Sequence, residues 1–330
     1  MHPFKIACRA CGAHHPGSQP YEACPICGGE WLDAAYPLTD ARYHGWRARL
    51  RQQGAGLWRY RELLPLCDPH HIVTMGEGWT PLLKAQNLGL MLGHEHIYIK
   101  DERQGPTGSF KDRQATIAIS AMKEAGITEA VVASTGNVAI AYAAYCARAG
   151  IKLWVFVPSS VPVEKMREVA VYGAEVIKVT GTYDQTKQIA AEFAASKGLF
   201  QDRGIKGIAA KEAMKTVAFE VAEQLGMAVA GGDPLLPNAD RHPWRVPDWF
   251  LQSVSGGLGP VGVMKGFAEL NALGLVQGMP KLGMFQPSGC APMVQAFRQG
   301  RPTAEPVDTP MTDIITLATG TPGIAYEALY

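Results

Sequence analysis

The central part of the chain alternates short apolar runs with longer segments of helical periodicity. The apolar runs have the length and the β-branched content of buried strands, and they cover residues 130–135, 152–158 and 175–181. The segments around them repeat their apolar positions every three or four residues, which predicts helices over 110–125, 137–150, 162–173 and 183–198. Because strands and helices alternate, we expect parallel βαβ units in this region.

The last third of the chain continues the pattern less densely. It predicts helices over 211–226 and 260–274, and strands over 248–254 and 281–289. Residues 227–247 are rich in Gly, Pro, Asp and Arg and predict a long connection between elements. Long connections of this kind are commonly functional or mobile.

The cysteines are concentrated at the N-terminus. Four of the seven form two C-x-x-C-G turns separated by twelve residues, and these are Cys8, Cys11, Cys24 and Cys27. Thiolates two residues apart on a tight turn can share one Zn²⁺, so the two turns predict a closed, structural four-thiolate site. A redox dithiol or plain reduced cysteines are the alternatives. Four thiolates suffice, so His14 and His15 are expected to be surface histidines rather than ligands.

Composition excludes several classes of function. The chain has 330 residues and is 47% hydrophobic, which is enough for two compact domains with a small appendage. It carries 31 basic and 30 acidic residues, so no basic excess favours binding to nucleic acid or to an anionic membrane. It has no membrane-spanning apolar run and no signal-peptide layout. The cysteine spacing is not that of a disulfide scaffold, and we therefore expect a reducing, cytoplasmic compartment.

One lysine stands in an unusual setting. The stretch PTGSFKDRQA places Lys111 between a small-residue turn and the first residues of an apolar helix. A solvated lysine needs no such setting, whereas a lysine that bonds covalently to an aldehyde does. The neutral amine is the reactive form, and a site shielded from water favours neutrality.

A first turn between a predicted strand and a predicted helix can bind an anion. In ASTGNVA, Ser134 and Thr135 offer hydroxyl groups, and the backbone N–H groups of the turn can bind a carboxylate. An ordinary N-cap turn explains the same residues equally well, because Ser, Thr and Asn all cap helices.

A second turn, SGGLG at 255–259, is rich in glycine and precedes a predicted helix. Glycines let the backbone approach an anion, and the helix N-terminus adds positive potential. The turn matches neither the Walker motif nor the dinucleotide fingerprint. On its own it is weak evidence for phosphate binding.

A lysine amine, a carboxylate-binding turn and a phosphate-binding turn are together what an amino-acid enzyme that uses pyridoxal phosphate requires. With PTGSFKDR, ASTGN, GEGWTPL, EAMKTVAFEVAEQLG and FQPSGCAP, the chain resembles the threonine synthase family of fold-type II pyridoxal-phosphate enzymes over about residues 70–300. The N-terminal cysteine module is similar to one that some threonine synthases carry.

The resemblance implies a role for each motif. Lys111 would hold the cofactor covalently and carry protons, and Asn137 would hydrogen-bond the ring hydroxyl of the cofactor. The substrate carboxylate would be bound by Ser134, Thr135 and Gly136. The cofactor phosphate would be held by Ser255, Gly256, Gly257 and Gly259.

Two departures from the family pattern bear on the substrate and on the length of the chain. Family members tend to carry a His-Arg pair where this chain has Ala209 and Ala210. We therefore expect nearby lysines to bind the substrate phosphate in place of the arginine, and these are Lys206, Lys211 and Lys215. The family also places a Ser or Thr against the pyridine nitrogen in a Gly-rich loop, which we do not find before the final GTPGIAYEALY. This favours a large domain that is incomplete at its C-terminal end.

The sequence thus predicts an α/β protein of fold type II, with two open parallel-sheet domains and a small N-terminal zinc ribbon. The expected boundaries are 1–35 for the zinc ribbon, 36–109 with 205–330 for the large cofactor domain, and 110–204 for the small inserted α/β domain. The cofactor would lie between the two domains, at the carboxyl ends of parallel strands.

The resemblance implies a lyase that eliminates phosphate from O-phosphohomoserine and adds water to give threonine. The alternatives are a related β-replacement enzyme such as a cysteate synthase, a threonine or serine dehydratase, and a non-catalytic protein that binds a partner through its zinc ribbon. A visible-absorbance scan separates the enzymes from the last class. We expect pyridoxal phosphate and a structural Zn²⁺ as cofactors, an amino-acid substrate, a homodimer, and no nucleic-acid or membrane partner.

Overall fold

The computed structural model describes residues 4–17, 19, 21–134, 136–237 and 242–330. The strands among them are β1 (Lys5–Cys8), β2 (His14–Pro16), β3 (Leu32–Ala35), β4 (Leu82–Lys84), β5 (Tyr98–Lys100), β6 (Glu129–Ala133), β7 (Lys152–Pro158), β8 (Glu175–Val179), β9 (Phe200–Gln201), β10 (Trp249–Ser253) and β11 (Lys281–Phe285). The α-helices are α1 (Trp46–Arg49), α2 (Gln86–Leu92), α3 (Lys111–Glu124), α4 (Asn137–Ala149), α5 (Val163–Val171), α6 (Tyr183–Lys197), α7 (Ile208–Val229), α8 (Leu258–Ala272), α9 (Pro292–Arg298) and α10 (Ile324–Leu329).

The N-terminal residues form a three-stranded antiparallel sheet in the order β2-β1-β3. Phe4, Ile6 and Leu32 make its small core, against which Ile208 at the start of α7 also packs. Lys265 of α8 donates a 2.6 Å hydrogen bond to the carbonyl of Ala34. The N-terminal module therefore lies against α7 and α8.

The central sheet has four parallel strands in the order β8-β7-β6-β9. Helices α3, α4 and α5 pack on one face, around Val132 and Val155, and α6 packs on the other, against Val131 and Phe156. The two central strands, β6 and β7, are mostly apolar because βαβ crossovers cover both faces of a parallel sheet, whereas the edge strand β8 carries an exposed lysine, Lys178. This sheet confirms the predicted parallel units, with element boundaries within a few residues of those expected.

Helix α7 is the central helix of the rest of the molecule. All of its residues from 210 to 227 are buried, and α8 packs along it. The two helices approach closely because α8 presents glycine at the contact. A Cβ on Gly262 would lie 2.4 Å from the Cβ of Met214, and one on Gly266 would lie 2.5 Å from the carbonyl oxygen of Lys215. Any side chain at these two glycines would push the helices apart.

The sequence predicts a second open parallel sheet, and this prediction is wrong about the extent of that sheet. Outside the central sheet and the N-terminal module, the described residues contain only the parallel pair β10-β11 and the antiparallel pair β4-β5. The packing of α7 against α8, rather than a wide sheet, forms the core here. Within the described part of the chain, none of the helices has both the length and the apolar composition that crossing a bilayer requires.

One buried ion cluster joins α3 to α7. The guanidinium of Arg113 forms one pair of hydrogen bonds with Glu102, both of 2.8 Å, and a second pair with Glu220, of 2.6 and 2.7 Å. Lys100 donates a further hydrogen bond of 2.6 Å to Glu220. Burial raises the pKa of Glu220, but Arg113 and Lys100 outweigh burial and lower it to about 2. The cluster therefore keeps Glu220 ionised in the core.

We expect Arg113→Met to lower the free energy of unfolding by about 3 to 5 kcal/mol, because it leaves Glu220 buried without its main partner. Arg301→Met is the matched control, since it removes an arginine from the exposed pair with Glu305 and should change stability little. Urea titration of both variants measures the difference. Equal midpoints for the two variants would contradict a structural role for the cluster.

Candidate functional site

The turn before α3 fixes the position of Lys111, the first residue of that helix. The carboxylate of Asp112 accepts hydrogen bonds of 3.0 and 2.7 Å from the backbone N–H and the hydroxyl of Thr107. The hydroxyl of Ser109 accepts a 3.3 Å bond from the backbone N–H of Lys111. With Arg113 held by the ion cluster, both residues that follow the lysine are anchored, and the lysine backbone has little freedom to move.

The Lys111 amine lies in a desolvated position, although its side chain is only half-buried. Burial lowers its pKa from 10.5 to about 8, while the carboxylate of Asp202 acts weakly in the opposite direction. Its Nζ atom also lies 4.2 Å from the centre of the Phe110 ring. A desolvated amine with a lowered pKa is the property that the sequence led us to expect of a reactive lysine.

Asp202 was not anticipated from the sequence. It follows β9, and it accepts hydrogen bonds of 2.7 Å from the Tyr142 hydroxyl and 2.8 Å from the backbone N–H of Gly204. Gln114 in turn donates a 3.1 Å bond to the Tyr142 oxygen. Burial raises the pKa of Asp202, and Tyr142 partly offsets this. Its place at the carboxyl end of a strand beside β6 is the signal that could have identified it.

The turn after β6 has the geometry of a helix cap. The hydroxyl oxygen of Ser134 accepts hydrogen bonds of 3.2 Å from the backbone N–H groups of Gly136 and Ala139. The Ser134 oxygen therefore accepts hydrogen bonds at the start of the helix, as the N-cap interpretation predicts. The Ser134 O–H group can still donate a hydrogen bond to a ligand. Asn137 is the first residue of α4, and Thr135 lies outside the described residues.

The turn after β10 leaves its backbone accessible at Gly256, where a Cβ would meet no atom within 4 Å. Gly257 has φ 82° and precedes α8, a conformation that other residues rarely adopt. A Cβ on Gly259 would lie 2.4 Å from the amide nitrogen of Gln252, so a larger residue there would displace the end of that side chain. The backbone thus turns tightly into the N-terminus of a 15-residue helix, which is a favourable place for an anion.

A segment near the C-terminus brings the two turns into one cleft. The hydroxyl of Thr319 is hydrogen-bonded to that of Ser255. Three residues earlier, the methyl group of Thr316 lies 3.3 Å from where a Cβ on Gly136 would stand. No sequence motif marks either threonine. Lys111 makes no hydrogen bond or ion pair to the two turns among the described residues, but its electrostatic interaction with Asp202 places it at the same edge of the central sheet.

The three lysines expected to bind the substrate phosphate have other partners, which contradicts that expectation. Lys206 forms an ion pair with Glu30 of the N-terminal module. Lys211 donates to backbone carbonyl groups, one of them at 2.9 Å, and Lys215 bonds to Glu212 at 2.6 Å. Lys211 and Lys215 are fully buried at 0% exposure, so neither amine can reach a ligand in the cleft.

The four N-terminal thiols converge on one point, as their spacing predicts. Their Sγ atoms all lie within 4.8 Å of one another, and they belong to Cys8, Cys11, Cys24 and Cys27. The glycines after the two turns, Gly12 and Gly28, have φ 71° and 72°, which lets the backbone fold beneath the sulfurs. A Cβ on Gly29 would lie 3.2 and 3.3 Å from two of the sulfurs. The donor set and the tight surroundings fit a tetrahedral metal site.

The charges of these thiols also favour a cation. Burial raises the pKa of Cys24, but the backbone N–H groups of Cys27 and Ile26 and the ring of His15 lower it to about 6. The neighbouring sulfurs raise the pKa of Cys27 to about 12, despite the N–H of Gly29. Thiolates this close repel one another unless a cation lies between them. His15 is buried and its Nε2 lies 3.3 Å from Cys24 Sγ, so the expectation of a surface position is wrong for this residue.

Comparison with known proteins also indicates an enzyme that uses pyridoxal phosphate. A sequence profile of the family described as "Pyridoxal-phosphate dependent enzyme" matches residues 73–327. The threonine synthase of Methanocaldococcus jannaschii is 33% identical over 323 residues, which are 98% of this chain and 75% of that protein. The threonine synthase of Methanosarcina acetivorans is 30% identical over 327 residues, with coverages of 99% and 75%.

Among solved structures, holo diaminopropionate ammonia lyase from Escherichia coli superposes with a TM-score of 0.63 over 91% of this chain and 72% of that one. At 17% identity this likeness shows a shared fold. The sequence matches confirm the resemblance that the motifs indicated. On the extent of the profile and of the two sequence relatives, the chain belongs to the threonine synthase family of pyridoxal-phosphate-dependent enzymes.

Proposed function

We propose that this chain eliminates phosphate from O-phosphohomoserine and adds water to form threonine, with Lys111 as the residue that holds the cofactor. The observation that carries the proposal is the desolvated Lys111 amine, whose pKa burial lowers to about 8. At pH 7 about a tenth of such an amine is neutral, against roughly one part in 2,500 for an ordinary lysine. Only the neutral amine can bond to the aldehyde carbon of the cofactor.

The residues of the cleft fit pyridoxal phosphate. The backbone of Ser255, Gly256 and Gly257, at the N-terminus of α8, would hold its phosphate, and Gly256 leaves the approach open. Gly259 belongs to the same turn and lies against the end of the Gln252 side chain. Asn137 would bond the ring hydroxyl through its carboxamide. The Nδ2 atom of that carboxamide donates to no other described residue, which leaves it available to the cofactor.

The substrate carboxylate would be bound at the N-terminus of α4. Gly136 places its backbone beside this end of the helix, and the hydroxyl proton of Ser134 points to no other acceptor among the described residues. Thr135 belongs to the same proposal on the resemblance alone. When bound, the cofactor supplies an electron sink that lets negative charge develop on the substrate carbon next to the amino group.

Lys111 would move the protons that this chemistry requires. The backbone of Lys111 is anchored at the start of α3 by the residues before and after it. The pKa of its amine, about 8, lets the amine both accept and donate a proton near neutral pH. Asp202 interacts electrostatically with the lysine from a position that Tyr142 fixes. The residues of the cleft thus bind the carboxylate and the cofactor at separate helix N-termini and leave the lysine free to shuttle protons.

The N-terminal module would hold one structural Zn²⁺ through its four thiolates, forming a zinc ribbon. Such a site is closed and takes no part in the reaction, but it would fix the module against α7 and α8. The domain boundaries 1–35, 36–109 with 205–330, and 110–204 are part of the same proposal, together with a homodimer and a cytoplasmic location.

The substrate is tested by comparing product release from several amino acids. We expect inorganic phosphate and threonine to form in equal amounts from O-phosphohomoserine, with slower phosphate release from O-phosphoserine. Threonine and serine should release little ammonia. Ammonia release without any phosphate release would instead identify a dehydratase and contradict the proposed reaction.

The role of Lys111 is tested with Lys111→Ala, which should abolish the borohydride-reducible bond to pyridoxal phosphate and remove the visible absorbance of the bound cofactor. Lys123→Ala is the matched control, because Lys123 is an exposed lysine of the same helix and should keep both signals. Peptide mapping of the reduced protein should place the label on Lys111. A label on another lysine would refute the assignment.

The metal site is tested with Cys24→Ser, which should lose the single Zn²⁺ of the chain and loosen residues 1–35 to proteolysis while the cofactor stays bound. Cys67→Ser is the control, since Cys67 lies outside the thiol cluster. Metal analysis of protein purified under reducing conditions gives the stoichiometry. Wild-type protein that is found to contain no zinc would contradict the proposed metal site.

A further inference from the structure

The residue assigned to the cofactor hydroxyl has a charged neighbour on another helix. Lys165 of α5 places its Nζ atom 3.4 Å from Oδ1 of Asn137, the first residue of α4. Lys165 is half-buried, and among the described residues it forms no ion pair. The acidic residues of its own helix, Glu164 and Glu168, are exposed and do not pair with it. Within the described part of the chain, its hydrogen-bond partner is therefore the Asn137 carboxamide.

This contact determines which way the carboxamide is turned. A lysine ammonium has three donors and no acceptor, so the atom of Asn137 that faces it must be the oxygen. The NH₂ group then lies on the other side of the amide carbon, and it donates no hydrogen bond to another described residue. Without Lys165 the two ends of the carboxamide could exchange by a half turn about the last side-chain bond, since that torsion is broad and roughly two-fold.

The direction of the NH₂ group matters for the kind of oxygen it can bind. An amide NH₂ donates to a negatively polarised oxygen, such as the ring hydroxyl of pyridoxal phosphate in its anionic form, whereas the amide oxygen would repel it. The N-terminus of α4, a helix of 13 residues, adds positive potential at the same place. Lys165 adds its ammonium group next to the Asn137 carboxamide.

We propose that Lys165 is a positioning residue for the cofactor, which holds the Asn137 carboxamide with its NH₂ group towards the ring hydroxyl oxygen. The inference rests on the proposed function, because it needs the cofactor to bind beside Asn137. Lys165 acts through Asn137 and has no contact of its own with the reacting atoms. A hydrogen bond to a charged donor is worth enough that its loss should weaken cofactor binding about tenfold.

The test measures binding of pyridoxal phosphate to cofactor-free protein, together with circular dichroism in the visible band of the bound cofactor. The dichroism reports a ring held in one orientation and does not depend on turnover. We expect Lys165→Met to raise the dissociation constant about tenfold and to weaken the dichroism, and Lys165→Arg to restore most of both signals. Lys178→Met, which removes an exposed lysine of β8 in the same sheet unit, should match the wild type.

A double-mutant cycle separates positioning from other roles. Asn137→Ala should weaken cofactor binding, and adding Lys165→Met to it should change nothing further, because the group that Lys165 holds is gone. Far-ultraviolet dichroism verifies folding, and Lys165→Gln, which keeps a neutral donor, serves if the Met variant does not fold.

Three results would overturn the inference. If Lys165→Met binds the cofactor as tightly as the wild type and with equal dichroism, the contact has no role. If its effect persists in the Asn137→Ala background, Lys165 acts by another route. Such a route would be direct contact with the substrate if the change is confined to the KM for O-phosphohomoserine. If wild-type protein itself binds no pyridoxal phosphate, the proposed function fails first, and this inference fails with it.

Discussion

Arg113 carries a positive charge where water does not reach it, and the arrangement around the cleft follows from how that charge is neutralised. Only 1% of the residue is exposed, so its charge must be met by protein groups. Glu220 of α7 and Glu102 meet it with paired hydrogen bonds. The pairs are directional, so they set the distance and the rotation of α3 relative to α7. Lys111, two residues before Arg113, is placed by the same contacts.

Burial also shifts the pKa values of the groups in the cleft. Desolvation disfavours a charged form, so it lowers the pKa of Lys111 and raises that of Asp202. The Tyr142 hydroxyl donates a hydrogen bond to Asp202 and keeps it in place. The turns at Gly136 and Gly257 stand at the N-termini of α4 and α8, which provide positive potential. In the proposed function these turns bind anions and Lys111 transfers protons, so the two tasks fall to different groups.

The lysines in and before α7 have structural roles. Lys215 is paired with Glu212 and Glu269 inside the core, and Lys206, which precedes the helix, is paired with Glu30 of the N-terminal module. The pair of Lys215 with Glu269 joins α7 to α8, and the Lys206 pair attaches the cysteine module to the body of the enzyme. They also show why a nearby positive charge in the sequence is not evidence of a ligand site: a lysine within a few residues of a motif can point in any direction around its helix.

Local patterns in the sequence determined much of this protein. The apolar runs were sufficient to locate the central sheet, because a parallel strand buried on both faces leaves a continuous apolar signature. The spacing of Cys8, Cys11, Cys24 and Cys27 was enough to bring their sulfurs together, because each turn is closed within four residues. The lysine motif and its two companion turns identified the family, since the chemistry of the cofactor requires those residue types.

Only the tertiary structure decided which distant residues share the cleft. Asp202, Thr316 and Lys165 reach it from three separate elements, and no local pattern marks them, because contacts between segments far apart in sequence depend on how the helices and the sheet pack. The same packing turned Lys211 and Lys215 away into the core. The extent of the second sheet was likewise not visible in the sequence, because the core in this region is built from the close packing of α7 against α8 at the α8 glycines.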